Sequence, residues 1–301
     1  MRRHSRLAST LAGSAALLAA GAVHAQIEGA LPAIAAEPHP VSVRLLCDAD
    51  LIGPRQTFHV AVRFDVHKEW HIYWKNPGEG AMPPDIELTA PDGYTVGTVL
   101  WPRPTAVTTS IGPEYCYFDT AVLFVPITAP ATLTDGTATL RVDTRWAACR
   151  EACVLGRVQS EVTVNTSSRP VVSSDGPDLE LAAFRKRLPD PLADLAGAAI
   201  SFEQNILTLG GPAGGMTRAA FFPIDRPGIT YEATAVTVDG DRFRVVTRVG
   251  LTPHNAGDEP MVLAGLVTLG EKPDDPSYDF EIPLDRDLTW KAGALRDSKK
   301  P

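Results

Sequence analysis

Apolar and polar residues alternate with period two along most of this chain. "TFHVAVRFDV" sets Phe58, Val60, Val62, Phe64 and Val66 on one face and His59, Arg63 and Asp65 on the other. "VSVRLLC" does the same with Val41, Val43, Leu45 and Cys47. "TATLRVDTRW" aligns Leu140, Val142, Thr144 and Trp146 against Arg141, Asp143 and Arg145, and "RVQSEVTV" aligns Val158, Val162 and Val164. Successive side chains of a strand point to opposite faces, so this rhythm predicts antiparallel strands buried on one side. Pro and Gly clusters such as "NPGEGAMPP" and "APDGY" separate the strands. Many short strands between such turns predict a β-sandwich.

The rhythm breaks once. Asn165 to Pro177, "NTSSRPVVSSDGP", is polar and rich in Ser and Pro, as a linker is. "DLELAAFRKRL" then predicts a short helix with Leu179, Ala183 and Leu188 on one side, stopped by Pro189. Strands resume in "AAISFEQNILTLGG", "RAAFFPI", "ITYEATAVTVDGDRFRVVTRV", "PMVLAGLVTL" and "YDFEIPL", with a hairpin turn at Asp239–Asp241. The expected layout is residues 1–25 as a signal peptide, 26–166 as a first β domain and 167–190 as linker and helix. Residues 191–296 form a second β domain, and 297–301 a tail. The second half holds no cysteine, and its one histidine, His254, sits in a polar loop; a structural or docking role is expected there.

Location sharpens this picture. Arg2, Arg3 and Arg6 precede an apolar, Ala-rich run from Leu11 to Val23, and "VHA" ends at Ala25. That is the layout of a secretory signal, too short for a spanning helix. A periplasmic protein with no span of its own after signal removal is expected. Loss of the three arginines takes the formal charge from −8 to about −11. An acidic balance of this size argues against a nucleic-acid partner.

The candidate chemistry is in the cysteines: Cys47, Cys116, Cys149 and Cys153, all in the first half. An even number in an exported chain predicts two bridges. Cys149 ends one strand and Cys153 opens the next, so "REA" between them closes a tight loop within disulfide reach. A bridge over so small a loop stabilises the fold little. Arg150 favours a thiolate at Cys149 and Glu151 partly offsets it. Spacing alone leaves a redox pair and a structural clip both open. Cys47 and Cys116 form a candidate structural disulfide across a long loop. No metal site is expected: His59, His67 and His71 lack ligand spacing, and no twin C-x-x-C occurs. A hydrolase is disfavoured by the lack of G-x-S-x-G.

Four stretches, in order, resemble one family: "EWHIYWKNPGEGAMPPDIEL" (Glu69 to Leu88), "LWPRP" (Leu100 to Pro104), "EYCYFDTAVLFVPI" (Glu114 to Ile127) and "WAACREACVLG" (Trp146 to Gly156). They resemble the N-terminal periplasmic domain of the DsbD thiol:disulfide interchange proteins, in particular the ScsB-like (suppressor of copper sensitivity) variety. "AAFFPI", Ala219 to Ile224, is similar to the second periplasmic domain of the ScsB-like members.

The resemblance implies an all-β fold of two immunoglobulin-like sandwiches joined by a linker and short helix. It implies that Cys149 and Cys153 are the catalytic, redox-active pair, working without a cofactor. The pair would exchange electrons with thioredoxin-like periplasmic proteins. His71 and Tyr73 match family residues beneath the pair, and Pro113 to Tyr117, with Glu114, Tyr115 and Tyr117, matches a shielding loop. Three departures stand out. Family chains continue into a membrane-embedded conduit, so the electron donor here is expected to be a separate membrane protein. Leu155 stands where the family usually has Pro. Cys116 lies inside the shielding segment, which puts its pairing with Cys47 in doubt.

Overall fold

The computed structural model describes residues 39–171, 179–252 and 260–284. The signal segment, most of the linker, His254 and the tail lie outside these residues. Among the described residues the protein is all-β, two immunoglobulin-like sandwiches with a short α-helix between them.

The first sandwich contains β1 (Val41–Cys47), β2 (Leu51–Ile52), β3 (Thr57–Val66), β4 (Ile72–Gly78), β5 (Asp85–Thr89) and β6 (Thr95–Val96). It continues with β7 (Thr105–Thr108), β8 (Pro113–Tyr117), β9 (Thr120–Thr128), β10 (Gly136–Cys149) and β11 (Cys153–Thr166). One sheet runs β1-β3-β9-β6 and the facing sheet β2-β11-β10-β5. A three-stranded sheet, β4-β8-β7, joins them. The alternation read from the sequence holds: Phe58, Val60, Val62 and Phe64 point in, as do Leu140, Val142, Thr144 and Trp146 from across the core. Each such apolar side chain contributes roughly 1.5–3 kcal/mol by leaving water.

The helix α1 (Leu179–Arg185) lies on the outer face of the β1-β3-β9 sheet. Its buried side is Leu181 with Phe184 and, just beyond its end, Leu188, packed on Ala61, Val122 and Phe124. This corrects the expected face, since Ala183 is exposed. Leu181, Phe184 and Leu188 are spaced at one and two helical turns, and Phe184 supplies more apolar area than Ala183.

A polar clasp fixes this helix. Asp48 accepts hydrogen bonds from the His59 backbone N–H (2.6 Å), from His59 Nδ1 (2.9 Å) and from Arg185. Burial pushes the Asp48 carboxyl up, but these hydrogen bonds outweigh it and hold it below the usual carboxylate range. A carboxyl depressed by folding stabilises the native state above its unfolded pKa of about 3.9, and that stability is lost as pH falls toward the folded value. Asp48→Asn should therefore cost about 1–3 kcal/mol at pH 7. In urea titrations the gap from wild type should narrow as pH drops below about 4.

The second sandwich contains β12 (Asp190–Pro191), β13 (Ala199–Glu203), β14 (Ile206–Pro212), β15 (Ala219–Pro223), β16 (Ile229–Asp239), β17 (Arg242–Leu251), β18 (Val262–Leu269) and β19 (Ser277–Pro283). Its sheets run β13-β14-β17-β16 and β12-β19-β18-β15. The turn expected at Asp239–Asp241 forms: Asp239 pairs with Arg242 around Gly240, whose φ of 56° is the left-handed conformation of a tight hairpin.

The two sandwiches share one apolar cluster. Phe222, Ile224, Ala264 and Leu266 of the second belong to the same buried group as Trp74, Tyr115 and Tyr117 of the first. The Phe222 ring meets Tyr115 at 5.0 Å and Trp74 at 6.0 Å between centroids. Asn76, 4% exposed, donates from Nδ2 to the Pro223 carbonyl at 2.7 Å. Arg103 donates to the carbonyls of Leu269, Gly270 and Asp275 at 2.8–3.0 Å. Among the described residues no helix is long and apolar enough to cross a membrane.

Candidate redox site at the hairpin tip

β10 and β11 form a hairpin of 14 residues on each side, in unbroken register from Gly136↔Thr166 to Cys149↔Cys153. The last pair is a disulfide, Cα atoms 4.1 Å apart. Opposed positions on adjacent strands are the closest in a sheet, so the register places these two sulfurs together. The hairpin tightens beneath it: the Trp146 ring lies against Gly156 where any Cβ would overlap it.

The two cysteines differ sharply in surroundings. Cys149 is 4% exposed, whereas Cys153 is open to solvent. Cys149 is held on both flanks, by Cys153 and by His71. The His71 N–H donates to the Cys149 carbonyl at 3.0 Å and the Cys149 N–H to the His71 carbonyl at 2.9 Å. Cys153 lies on the outer strand, followed by Val154 and Leu155, which are 36% and 75% exposed. Cys153 is therefore the more accessible residue of the bridge.

Beneath the pair, Tyr73, Cys116 and Cys149 form one buried cluster, flanked by Ala81 and Val107. Tyr73 lies opposite Cys116 in the β4–β8 register. The segment "NPGEG" shapes this floor: Gly78, at φ 65°, lets the β8 backbone close in, and Gly80 leaves the space that the Tyr73 ring fills. His71 Nε2 lies 3.2 Å from the Tyr73 hydroxyl and 3.7 Å from Glu114 Oε2. Burial lowers the His71 pKa, partly countered by the Glu114 charge. Burial, reinforced by Glu114, pushes the Tyr73 hydroxyl and the Cys116 thiol each up to about 12.

The structure thus brings His71, Tyr73, Glu114, Cys116, Cys149 and Cys153 together. It does not bring Tyr115 and Tyr117 to them. The expected shielding loop, Pro113–Tyr117, is the strand β8 paired on both sides. Alternation on that strand sends Glu114 and Cys116 toward the pair and Tyr115 and Tyr117 into the core. The Tyr115 ring packs on Phe222, and the Tyr117 hydroxyl donates to the Pro102 carbonyl at 2.7 Å.

The Cys47–Cys116 bridge is also corrected: both thiols are free. Cys47 sits at the end of β1 opposite Val60, while Cys116 belongs to the cluster under the redox pair. Burial raises the Cys47 thiol to about 11.

Phe118 escaped the sequence reading, and Arg150 takes partners other than the one expected. The Phe118 ring covers His71 at 5.6 Å, and Arg150 lies over the Trp70 ring at 5.2 Å with Glu69 at 3.8 Å. Arg150 is thus engaged by Trp70 and Glu69 rather than aimed at Cys149. Phe118 lies inside the quoted stretch Glu114 to Ile127 and Trp70 inside Glu69 to Leu88, which was the available signal. His59 is held in the Asp48 clasp and His67 is exposed, so neither belongs to this site.

Residues 41–165 match the model of the family "Thiol:disulfide interchange protein DsbD, N-terminal". The N-terminal periplasmic domain of ScsB from Proteus mirabilis has the fold of this chain, with a TM-score of 0.54 at 17% identity, over 82% of this chain and 95% of that one. Its span takes in both sandwiches. The reduced N-terminal domain of DsbD from Neisseria meningitidis aligns at 18% identity over 41% of this chain and 83% of its own, with a TM-score of 0.27. No curated protein sequence matches the chain significantly. In the DsbD-type domain the candidate pair is the hairpin-tip disulfide, with β4 and β8 as its floor.

Proposed function

We propose that this protein is a periplasmic thiol:disulfide exchange module working through Cys149 and Cys153. The observation that carries the reading is the asymmetry of the disulfide, one sulfur buried and tethered, the other exposed at a hairpin tip. A periplasmic setting fits the signal-like start of the chain and the periplasmic origin of the Proteus mirabilis domain.

A thiolate of a reduced upstream partner attacks the Cys153 sulfur. The Cys149–Cys153 bond breaks, a mixed disulfide forms at Cys153, and the electron pair leaves on the Cys149 sulfur, which takes up a proton. The partner's second thiolate then attacks its own sulfur in the mixed disulfide and frees Cys153. The partner is now oxidised and the module holds two thiols. Cys153 next attacks the disulfide of a thioredoxin-like acceptor, and Cys149 resolves that mixed disulfide, so two electrons move on. No cofactor takes part. A membrane electron conduit is the proposed upstream donor, with thioredoxin-like periplasmic proteins as partners. Val154 and Leu155 supply an exposed apolar rim beside the attacked sulfur.

Equilibration of the mature protein with glutathione, followed by thiol trapping and mass spectrometry, tests this. A potential well above roughly −300 mV, with Cys149 and Cys153 trapped together, is the expected result. A lower potential, or a pair that resists reduction in the folded protein, would make the bridge a structural clip and end the relay reading.

A further inference from the structure

The exchange step uses Cys149 and Cys153. It leaves unexplained a second group of reactive side chains in the floor beneath them. The donor atoms of His71, Glu114 and Cys116 all lie within 4.8 Å of one another. Glu114 and Cys116 are two apart on β8, so alternation sends both to the same face, and His71 meets them from the start of β4. We propose that His71, Glu114 and Cys116 form a zinc site.

The donor set is one imidazole nitrogen, one carboxylate oxygen and one thiol sulfur, a combination that suits zinc with one position left open. Zinc bonds of about 2.0–2.3 Å place neighbouring ligand atoms roughly 3.5 Å apart in a tetrahedron. His71 Nε2 and Glu114 Oε2 already stand at 3.7 Å, so small side-chain shifts close the set. Access and depth also fit. The His71 and Glu114 side chains keep 15% and 13% exposure, while Cys116 has none, so an ion enters past the first two and ends on the thiol.

Charge supports a cation here. Glu114 is a largely buried carboxylate with no Lys or Arg partner among the described residues, opposite Val107 in the β7–β8 register and close to Tyr73. Burying a carboxylate without a cation is costly, and a divalent ion in this position removes that cost. On binding, the Cys116 S–H bond gives way to a sulfur–zinc bond and the proton leaves to water. No sulfur of the Cys149–Cys153 pair is needed, so the disulfide form binds the ion.

The test uses metal-free mature protein with the Cys149–Cys153 disulfide intact, titrated with Co2+ and then Zn2+. One Co2+ per chain is expected, with a thiolate-to-cobalt charge-transfer band that Zn2+ abolishes. Cys116→Ser should remove the band, while Cys47→Ser, which changes the other free thiol, should keep it. Glu114→Gln, which keeps the side chain's size and removes its charge, should weaken Zn2+ at least about tenfold with an unchanged circular dichroism spectrum. A missing band in the wild type overturns the proposal. So does a band that survives Cys116→Ser, one lost in Cys47→Ser, or a Glu114→Gln affinity equal to wild type.

Discussion

With Cys149 replaced by serine, the remaining Cys153 should be alkylated by iodoacetamide on the order of 100-fold faster than Cys149 in the reciprocal Cys153→Ser variant. Cys153 is exposed on the outer strand of the hairpin, whereas Cys149 is 4% exposed and tied by two backbone hydrogen bonds to His71. A reagent reaches Cys149 only when this end of β10 opens. A local opening costing about 3 kcal/mol slows modification by about 100-fold, at tenfold per 1.4 kcal/mol. The same asymmetry predicts that Cys149→Ser accumulates a mixed disulfide with an oxidised thioredoxin-like partner, mapped to Cys153 by peptide mass spectrometry, and that Cys153→Ser does not. Equal alkylation rates, or mixed disulfides on Cys149, would reverse the proposed order of attack.

Phe222→Ala should lower the stability of the whole molecule by about 3–5 kcal/mol, as large-to-small changes of buried aromatic residues do. Phe222 is 2% exposed, and its ring packs on Tyr115 and Trp74 of the other sandwich. Removing it leaves a cavity in the apolar cluster that both sandwiches share. At about 2–4 °C per kcal/mol for a chain of this size, the melting temperature should fall by about 10 °C, still as a single calorimetric transition. A shift under about 2 °C, or a second transition appearing, would mean that the two sandwiches fold independently.

Tyr115 also shows why a motif match is not a position. The stretch from Glu114 to Tyr117 was readable as part of the site, but its two tyrosines were not assignable to a side. Once β8 is a strand between β4 and β7, alternation separates Glu114 and Cys116 from Tyr115 and Tyr117. Deciding that needed both of the strand's partners, of which β7 is the neighbour in sequence but β4 is dozens of positions away. The helix face was open to a closer reading. Leu179 and Leu188, nine residues apart, fall on opposite sides of a helix, whereas Leu181, Phe184 and Leu188 share one side, the side that packs on Ala61, Val122 and Phe124.

The sequence by itself determined the long alternating strands, the hairpin turn at Asp239–Asp241 and the close approach of Cys149 and Cys153. These depend on period-two alternation, on Gly and Pro, and on a three-residue loop, all of which are local. Tertiary structure alone decided which sulfur faces solvent, that Cys116 stays apart from Cys47, and that His71 and Glu114 meet Cys116 under the pair. Those outcomes come from the pairing of β4 with β8 and from the bridge between His71 and Cys149. Such contacts join residues dozens of positions apart, and the chain reaches them only when burial of the apolar faces brings the sheets together.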